Sequence, residues 1–232
     1  MSYHIVSIDA PQCSLSLRDE QLVCKTNEGT RQLPLEDVAS LIVTSFSVNL
    51  HSHLLCGAAK RGVALIFCEA FKPIALLLPA NRSSDTLLTR AILTLPEKMR
   101  QTLWQKTVDA KCQNQASFAY CIAPGDPRVK PLQTIAHGRK PHKEAICAKL
   151  FWQILGRTLG DEEFIRERRR GGLNSLLNFG YAVLLSGILQ KLYAVGLDPT
   201  FGLSHATRER TAPLAYDLME PFRPCVDQRV YQ

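Results

Sequence analysis

The sequence predicts an α+β protein, an N-terminal β domain followed by an all-helical C-terminal domain, and three observations carry that reading. Apolar residues recur at a spacing of about two, or in short unbroken runs, up to residue 78, and at the helical spacing of about 3.6 from residue 87 onward. The polar stretch PANRSSDT (79–86) separates the two regimes with the composition of a linker. The charge divides at the same place: through residue 80 there are 6 Lys and Arg against 7 Asp and Glu, and the remainder carries 22 against 14, so the whole formal charge of +7 lies in the second part. The expected boundaries are a β domain over 1–80, a linker over 81–95 and a basic helical domain over 96–232.

In order along the chain, YHIVSI, CSLSLR, LVCKT, SLIVTS, VALIFC and PIALLL read as strands. They are β-branched or apolar runs bounded by Gly, Pro and Asn, with a turn at Asn27-Glu28-Gly29. One helix is expected among them, near HSHLLCGAAKRG (51–62). Helices then follow near 97–121, 142–159, 173–195 and 213–222, separated by PGDPRVKP and GLDPTFG. The segment GGLNSLLNFGYAVLLSGILQKLYAVG is apolar nearly all round, which predicts a central core helix with Asn174 and Asn178 as its polar stripe. Those two read either as donors supporting a site or as caps and surface positions near the helix start. No internal repeat or low-complexity tract interrupts this order.

Composition narrows the function classes. With 46% hydrophobic and 21% charged residues the chain is an ordinary globular one, which argues against intrinsic disorder. No basic region leads into an apolar one at the N-terminus, and the most apolar run, FGYAVLLSGIL, is shorter than the roughly 20 residues a bilayer requires, so a cytoplasmic protein without a membrane segment is expected. The eight cysteines are scattered without any C-x-x-C, several within apolar runs, and are expected to be reduced and structural. A basic half beside a neutral one suggests a polyanionic partner such as nucleic acid, against the alternative that many basic proteins bind nothing in particular.

Four residues stand out as candidate chemistry. Counting 100° per residue from Glu144, its nearest neighbours on the helix are Ala148, Phe151 and Leu155, so its carboxylate lies along the edge of an apolar face. A carboxylate turned inward needs a cation, a proton or a metal; a first-turn acid favoured by the helix dipole is the plainer alternative. Asp217 and Glu220 lie one turn apart, opposite the face shared by Leu214, Ala215, Leu218, Met219 and Phe222, and Pro221 should end or kink the helix there. His205 follows the turn-forming stretch GLDPTFGLS, where an imidazole taken singly is more often an ordinary loop residue than a ligand. Taken together, oxygen ligands with one imidazole suit Mg²⁺ or Mn²⁺ better than zinc. A hard metal on a basic helical domain points to phosphodiester chemistry.

Four ordered motifs, KEAICAK (143–149), LNSLLNFGYAVL (173–184), GLDPTFGLSH (196–205) and DLMEPFRPCVD (217–227), resemble the spacer-acquisition integrase family of CRISPR adaptation, a family of metal-dependent DNA endonucleases. LPLEDVASLIVTS, HLLCGAAKRGVALIFCE and KPIALLLP resemble that family's β domain, so the likeness covers nearly the whole chain. The resemblance implies that the helical domain is the catalytic one. It implies that Glu144, His205 and Glu220 hold the metal, with Asp217 a further acid beside the site. Many members carry Asp where this chain has Glu220. It implies Mg²⁺ or Mn²⁺ as cofactor, double-stranded DNA as substrate, a homodimer, a small companion subunit, and the joining of 3′-hydroxyl ends of a short duplex to a CRISPR repeat. Only 12 residues follow Glu220, where relatives usually continue into further helices, so the helical domain is expected to be short at its C-terminus. The alternatives are a catalytically weak DNA-binding or assembly subunit of the same fold, and a branched-DNA repair nuclease.

Two basic clusters complete the reading. GRKPHK supplies Arg139, Lys140 and Lys143 before the helix carrying Glu144, and RERRRGG supplies Arg166, Arg168, Arg169 and Arg170 before the core helix. They are candidates for phosphate contacts, against the alternative of a solvated charge run.

Overall fold

The computed structural model describes residues 4–69, 72–77, 87–167, 170–204 and 212–232. Two compact units form, one from Met1–Arg90 with Leu185–Asp198, the other from Ala91–Leu184 with Pro199–Gln232. The division differs from a simple cut near residue 80, because the last turns of the long core helix belong to the first unit.

The first unit holds two four-stranded sheets. One has the order β1 (His4–Ile8), β5 (Val38–Val43), β7 (Ala64–Glu69), β8 (Lys72–Leu77); the other has β4 (Gly29–Pro34), β3 (Gln21–Thr26), β2 (Ser14–Arg18), β6 (Asn49–Leu50). β5 and β7 are parallel, which a hairpin turn cannot join, and helix α1 (Ser52–Lys60) makes the crossover where the sequence predicts its one helix. β4 is absent from the strands read in sequence. Its GTRQLP has no apolar alternation because it is an exposed edge, registered on β3 through the turn that pairs Thr26 with Gly29. Leu15, Leu41, Leu54 and Leu65 are fully buried together in the core of this unit.

Helix α2 (Leu87–Leu93) occupies what composition marks as linker, and Thr89 Oγ1 donates to the Gly196 carbonyl at 2.9 Å. The second unit is helical: α3 (Glu97–Ile122), α4 (Val129–His137), α5 (Lys143–Thr158), α6 (Leu173–Ala194, through Leu184), α7 (Pro213–Met219) and α8 (Arg223–Tyr231). α4 is missed in sequence because Pro131 reads as a breaker, whereas in a first turn the missing N–H costs nothing. As Pro221 leads one to expect, α7 stops at Met219; a single 3₁₀ turn, Glu220–Phe222, follows, and Pro224 lies in the first turn of α8. Phe118, Phe151, Trp152 and Phe164 pack in series with ring centroids 5.0 to 6.0 Å apart, and Leu132, Cys147 and Ile154 fill the core around them. Gly180 lets α6 approach α8 so closely that a Cβ there would meet Val226 Cγ1 at 2.4 Å.

By length and composition one helix among the described residues, over Leu173–Leu192, could cross a membrane, because its apolar span exceeds the FGYAVLLSGIL run. Leu177, Tyr181, Leu185 and Leu189 are buried in protein, as a core helix requires. The eight cysteines are free thiols, four of them buried.

Candidate active site

Helix α3 is the platform of the site. The helical period turns Val108, Lys111, Cys112, Gln115 and Ala119 toward one side, so a lysine stands on a buried stripe that is apolar except for Gln115. Its ammonium is 2.6 Å from Glu144 Oε1, in the first turn of α5, and 2.6 Å from Glu220 Oε2, on the 3₁₀ turn. Two acids far apart in sequence thus converge on one cation, and their oxygens lie no further apart than twice that distance. Burial opposes the charged form of Lys111, but the Glu220 and Glu144 carboxylates outweigh it and raise its pKa above the ordinary lysine value. Lys111 escaped the sequence reading because no motif marks it; a lysine on a buried stripe was the available signal.

Glu220 is held on its other side as well. Arg223 Nε lies 3.0 Å from Glu220 Oε1, and Asn114 Nδ2, one turn beyond Lys111, donates to the Pro221 carbonyl at 2.8 Å. Both acids of this segment, which the wheel sets opposite its apolar face, are buried. Asp217 is 0% exposed and Glu220 4%, whereas Phe222 is 52% exposed. α7 is buried nearly all round, Leu214, Ala215, Tyr216 and Met219 as well as Asp217, so the face opposite its apolar residues is covered too.

Asp217 is buried for an identifiable purpose. Its Oδ2 accepts the backbone N–H groups of Leu203 at 2.5 Å and Ser204 at 3.0 Å. It therefore ties down the two residues immediately before His205, and the tie is charge-assisted. His205 itself, with Arg168 and Arg169, lies outside the described residues. Among the described residues no three of His, Cys, Asp and Glu gather as a metal-binding group; the pair that gathers is Glu144 with Glu220.

The basic clusters divide. Arg139, Lys140 and Arg170 are exposed. Lys143 is only 6% exposed, and its ammonium is taken by Asp109 Oδ1 at 2.8 Å and the Gly138 carbonyl at 3.1 Å. Arg166 turns inward, donating to Asn174 Oδ1 at 2.8 Å and Asn178 Oδ1 at 2.6 Å. Asn174 also accepts the Glu167 N–H and donates to the Ile165 carbonyl, so through Arg166 and Asn174 the start of α6 fastens the segment that leads into it.

Beside Glu220 lies a second buried acid. Asp227 Oδ1 accepts the Tyr181 hydroxyl at 2.5 Å, and the Arg223 guanidinium rests 4.7 Å from the centre of the Tyr181 ring. Burial pushes Asp227 up to about 7, only partly offset by the Tyr181 hydrogen bond and by Arg223. The folded state then holds a proton that the unfolded chain has released between the ordinary value of 3.8 and about 7, so this group's contribution to stability falls as pH rises through that window. Asp227→Asn should flatten the stability profile between about pH 4 and 7 in urea titrations. An unchanged slope would mean that Asp227 is ionised throughout.

The comparisons agree with this architecture. The profile of the family described as "CRISPR associated protein Cas1" matches residues 6–232. The CRISPR-associated endonuclease Cas1 of Neisseria meningitidis serogroup C (strain 8013) is 32% identical over 222 residues, spanning 93% of this chain and 71% of that protein. Among solved structures, a Cas1 protein from Thermotoga maritima superposes with a TM-score of 0.77 at 20% identity, over 98% of this chain and 77% of that one. A casposase bound to an integration product does so with a TM-score of 0.79 at 21% identity, over 100% and 72%. At those identities the two superpositions speak for the fold.

Proposed function

Because the chain belongs to the Cas1 family, we propose that it is a metal-dependent DNA endonuclease and integrase that inserts short duplex DNA into a CRISPR repeat array. The observation that carries the proposal is the convergence of Glu144 and Glu220 on one cation, 2.6 Å from each. The donor set fits a hard divalent ion: two carboxylates, with Glu220 Oε2 buried and, although in ion-pair contact, outside hydrogen-bond geometry. Glu144, Glu220 and His205 would hold Mg²⁺ or Mn²⁺, which when bound polarises a phosphate and stabilises charge on its oxygens. In the reaction the 3′-hydroxyl of the incoming strand would give up its proton to solvent as its oxygen bonds to a repeat phosphorus. The bond from that phosphorus to the neighbouring 3′-oxygen breaks, and that oxygen leaves as a new hydroxyl after taking a proton.

The chain's own groups divide the remaining work. Arg223 and Asn114 fix Glu220, and Asp217 fixes the backbone that delivers His205. The exposed Arg139, Lys140 and Arg170, with Arg168 and Arg169, take DNA phosphates and set register without reading bases. The partners this reading calls for are duplex DNA, a second copy of the chain and a small companion subunit. The site requires no membrane, and a cytoplasmic location suits a DNA substrate.

The direct test is strand transfer into a repeat-containing plasmid with a metal titration, for the wild type and His205→Ala. The variant should lose transfer while keeping its melting temperature. Mn²⁺ binding by the wild type should weaken as pH falls through about 6.5, because a protonated imidazole cannot ligate. Full transfer by His205→Ala would overturn the assignment. For the DNA path, replacing Arg168, Arg169 and Arg170 together by Ala should weaken binding to unrelated duplexes alike. It should also flatten log affinity against log salt by up to about 0.9 per lost phosphate contact. An unaltered slope and affinity would take that run off the path.

A further inference from the structure

The best defined contact of the site involves a residue that the proposed reaction does not use. Lys111 Nζ stands 2.6 Å from Glu144 Oε1 and 2.6 Å from Glu220 Oε2. A divalent cation bonds carboxylate oxygens at about 2.0–2.6 Å, so ammonium and metal would compete for nearly the same space between the same two atoms. Resting on the metal site proposed above, we propose that Lys111 is a built-in occupant of that site. Divalent metal displaces it, and a phosphate of bound DNA takes up the displaced ammonium.

Three features of the site support this. Glu220 is held independently of the lysine: Arg223 grips its carboxylate and Asn114 fastens its turn to α3, while Glu144 springs from the first turn of α5. The lysine ammonium, by contrast, sits on a flexible four-carbon stem and is the partner able to move. Two facing carboxylates without a cation repel, so the apo unit needs the lysine where it is. Finally, the lysine side chain is only 12% exposed, and a displaced ammonium in that position must find another anion. A DNA phosphate entering the site is the anion the proposed reaction provides. Metal and DNA then assist each other's binding through Lys111, and the coupling must be reciprocal.

The experiment measures Mn²⁺ affinity by calorimetry or by the resonance of free Mn²⁺. It uses the full chain with and without a dideoxy-terminated DNA duplex, which cannot undergo strand transfer. In the wild type the duplex should tighten Mn²⁺ binding by about tenfold. Lys111→Gln should bind Mn²⁺ about tenfold tighter than wild type without DNA and show a smaller further gain from the duplex, whereas Lys111→Arg, which keeps a cation there, should resemble wild type. In chelator Lys111→Gln should melt at a lower temperature than wild type, and added Mn²⁺ should raise it more. Mn²⁺ affinity in folded Lys111→Gln equal to or weaker than wild type would overturn the proposal, as would an undiminished response to the duplex. The wild-type measurement stands even if Lys111→Gln does not fold: no tightening by the duplex also overturns it. Glu220→Gln separates the two readings. If it loses Mn²⁺ while Lys111→Gln gains none, the lysine proposal alone falls; if it binds Mn²⁺ as wild type does, the metal site falls and the lysine proposal with it.

Discussion

Glu220→Gln is expected to reduce DNA cleavage and strand transfer by roughly a hundredfold or more while leaving the helical unit folded. Loss of an interaction that orients a metal ligand commonly costs 10- to 100-fold, and loss of a ligand's charge should cost at least the upper end of that range. The substitution keeps the shape of the side chain but removes one of the two negative charges that meet between α3, α5 and the 3₁₀ turn. The fold should survive because Lys111 keeps Glu144 as a partner and the Pro221 carbonyl still receives Asn114. Cleavage of duplex and branched DNA in Mn²⁺, measured alongside the melting curve, decides the matter. Activity within a few-fold of wild type would remove Glu220 from the chemistry, and a collapse of the melting curve would make it a structural acid. Glu144→Gln should act in the same direction, since its Oε1 faces the same cation.

Asp217→Ala should have the second largest effect, and by a different route. The carboxylate is fully buried and bonded to two successive backbone amides, those of Leu203 and Ser204. Removing it orphans both donors, at about 1–3 kcal/mol for each amide left without a partner. Because the tied segment leads directly into His205, the loss should spread to metal affinity and catalysis although Asp217 positions a ligand rather than serving as one. Asp217→Asn keeps an acceptor oxygen and should recover a substantial part of both. Urea unfolding and Mn²⁺ binding of the three proteins would show stability and affinity falling together in Asp217→Ala and rising together in Asp217→Asn. An Asp217→Ala protein with wild-type stability would sink the clamp. A destabilised protein with unchanged Mn²⁺ affinity would confine Asp217 to the fold.

The order of elements was legible because periodicity is a local property. The strands SLSLR and ALIFCE, the helix SHLLCGAAK, and the helices beginning at Glu97, Lys143 and Leu173 follow from spacing and composition alone, and so does the concentration of charge in the second half. Glu144 as an acid at the edge of an apolar face was legible for the same reason. What the sequence hid depends on partners distant along the chain. β4 is a strand only because β3 lies beside it, and α4 tolerates Pro131 only because of where its first turn begins. Lys143 and Arg166 looked like free cations in basic runs, yet Asp109 claims one and Asn174 with Asn178 claim the other. Asp217 and Glu220 read as two acids of one site, one turn apart, and tertiary packing buries both and gives them separate tasks: one ties a loop, the other meets Glu144 across Lys111. The sequence by itself determined which residues could carry charge and in what local geometry. The tertiary structure decided which of those charges neutralise one another, because burying a charge is tolerable only when a specific counter-charge or hydrogen bond is brought to it.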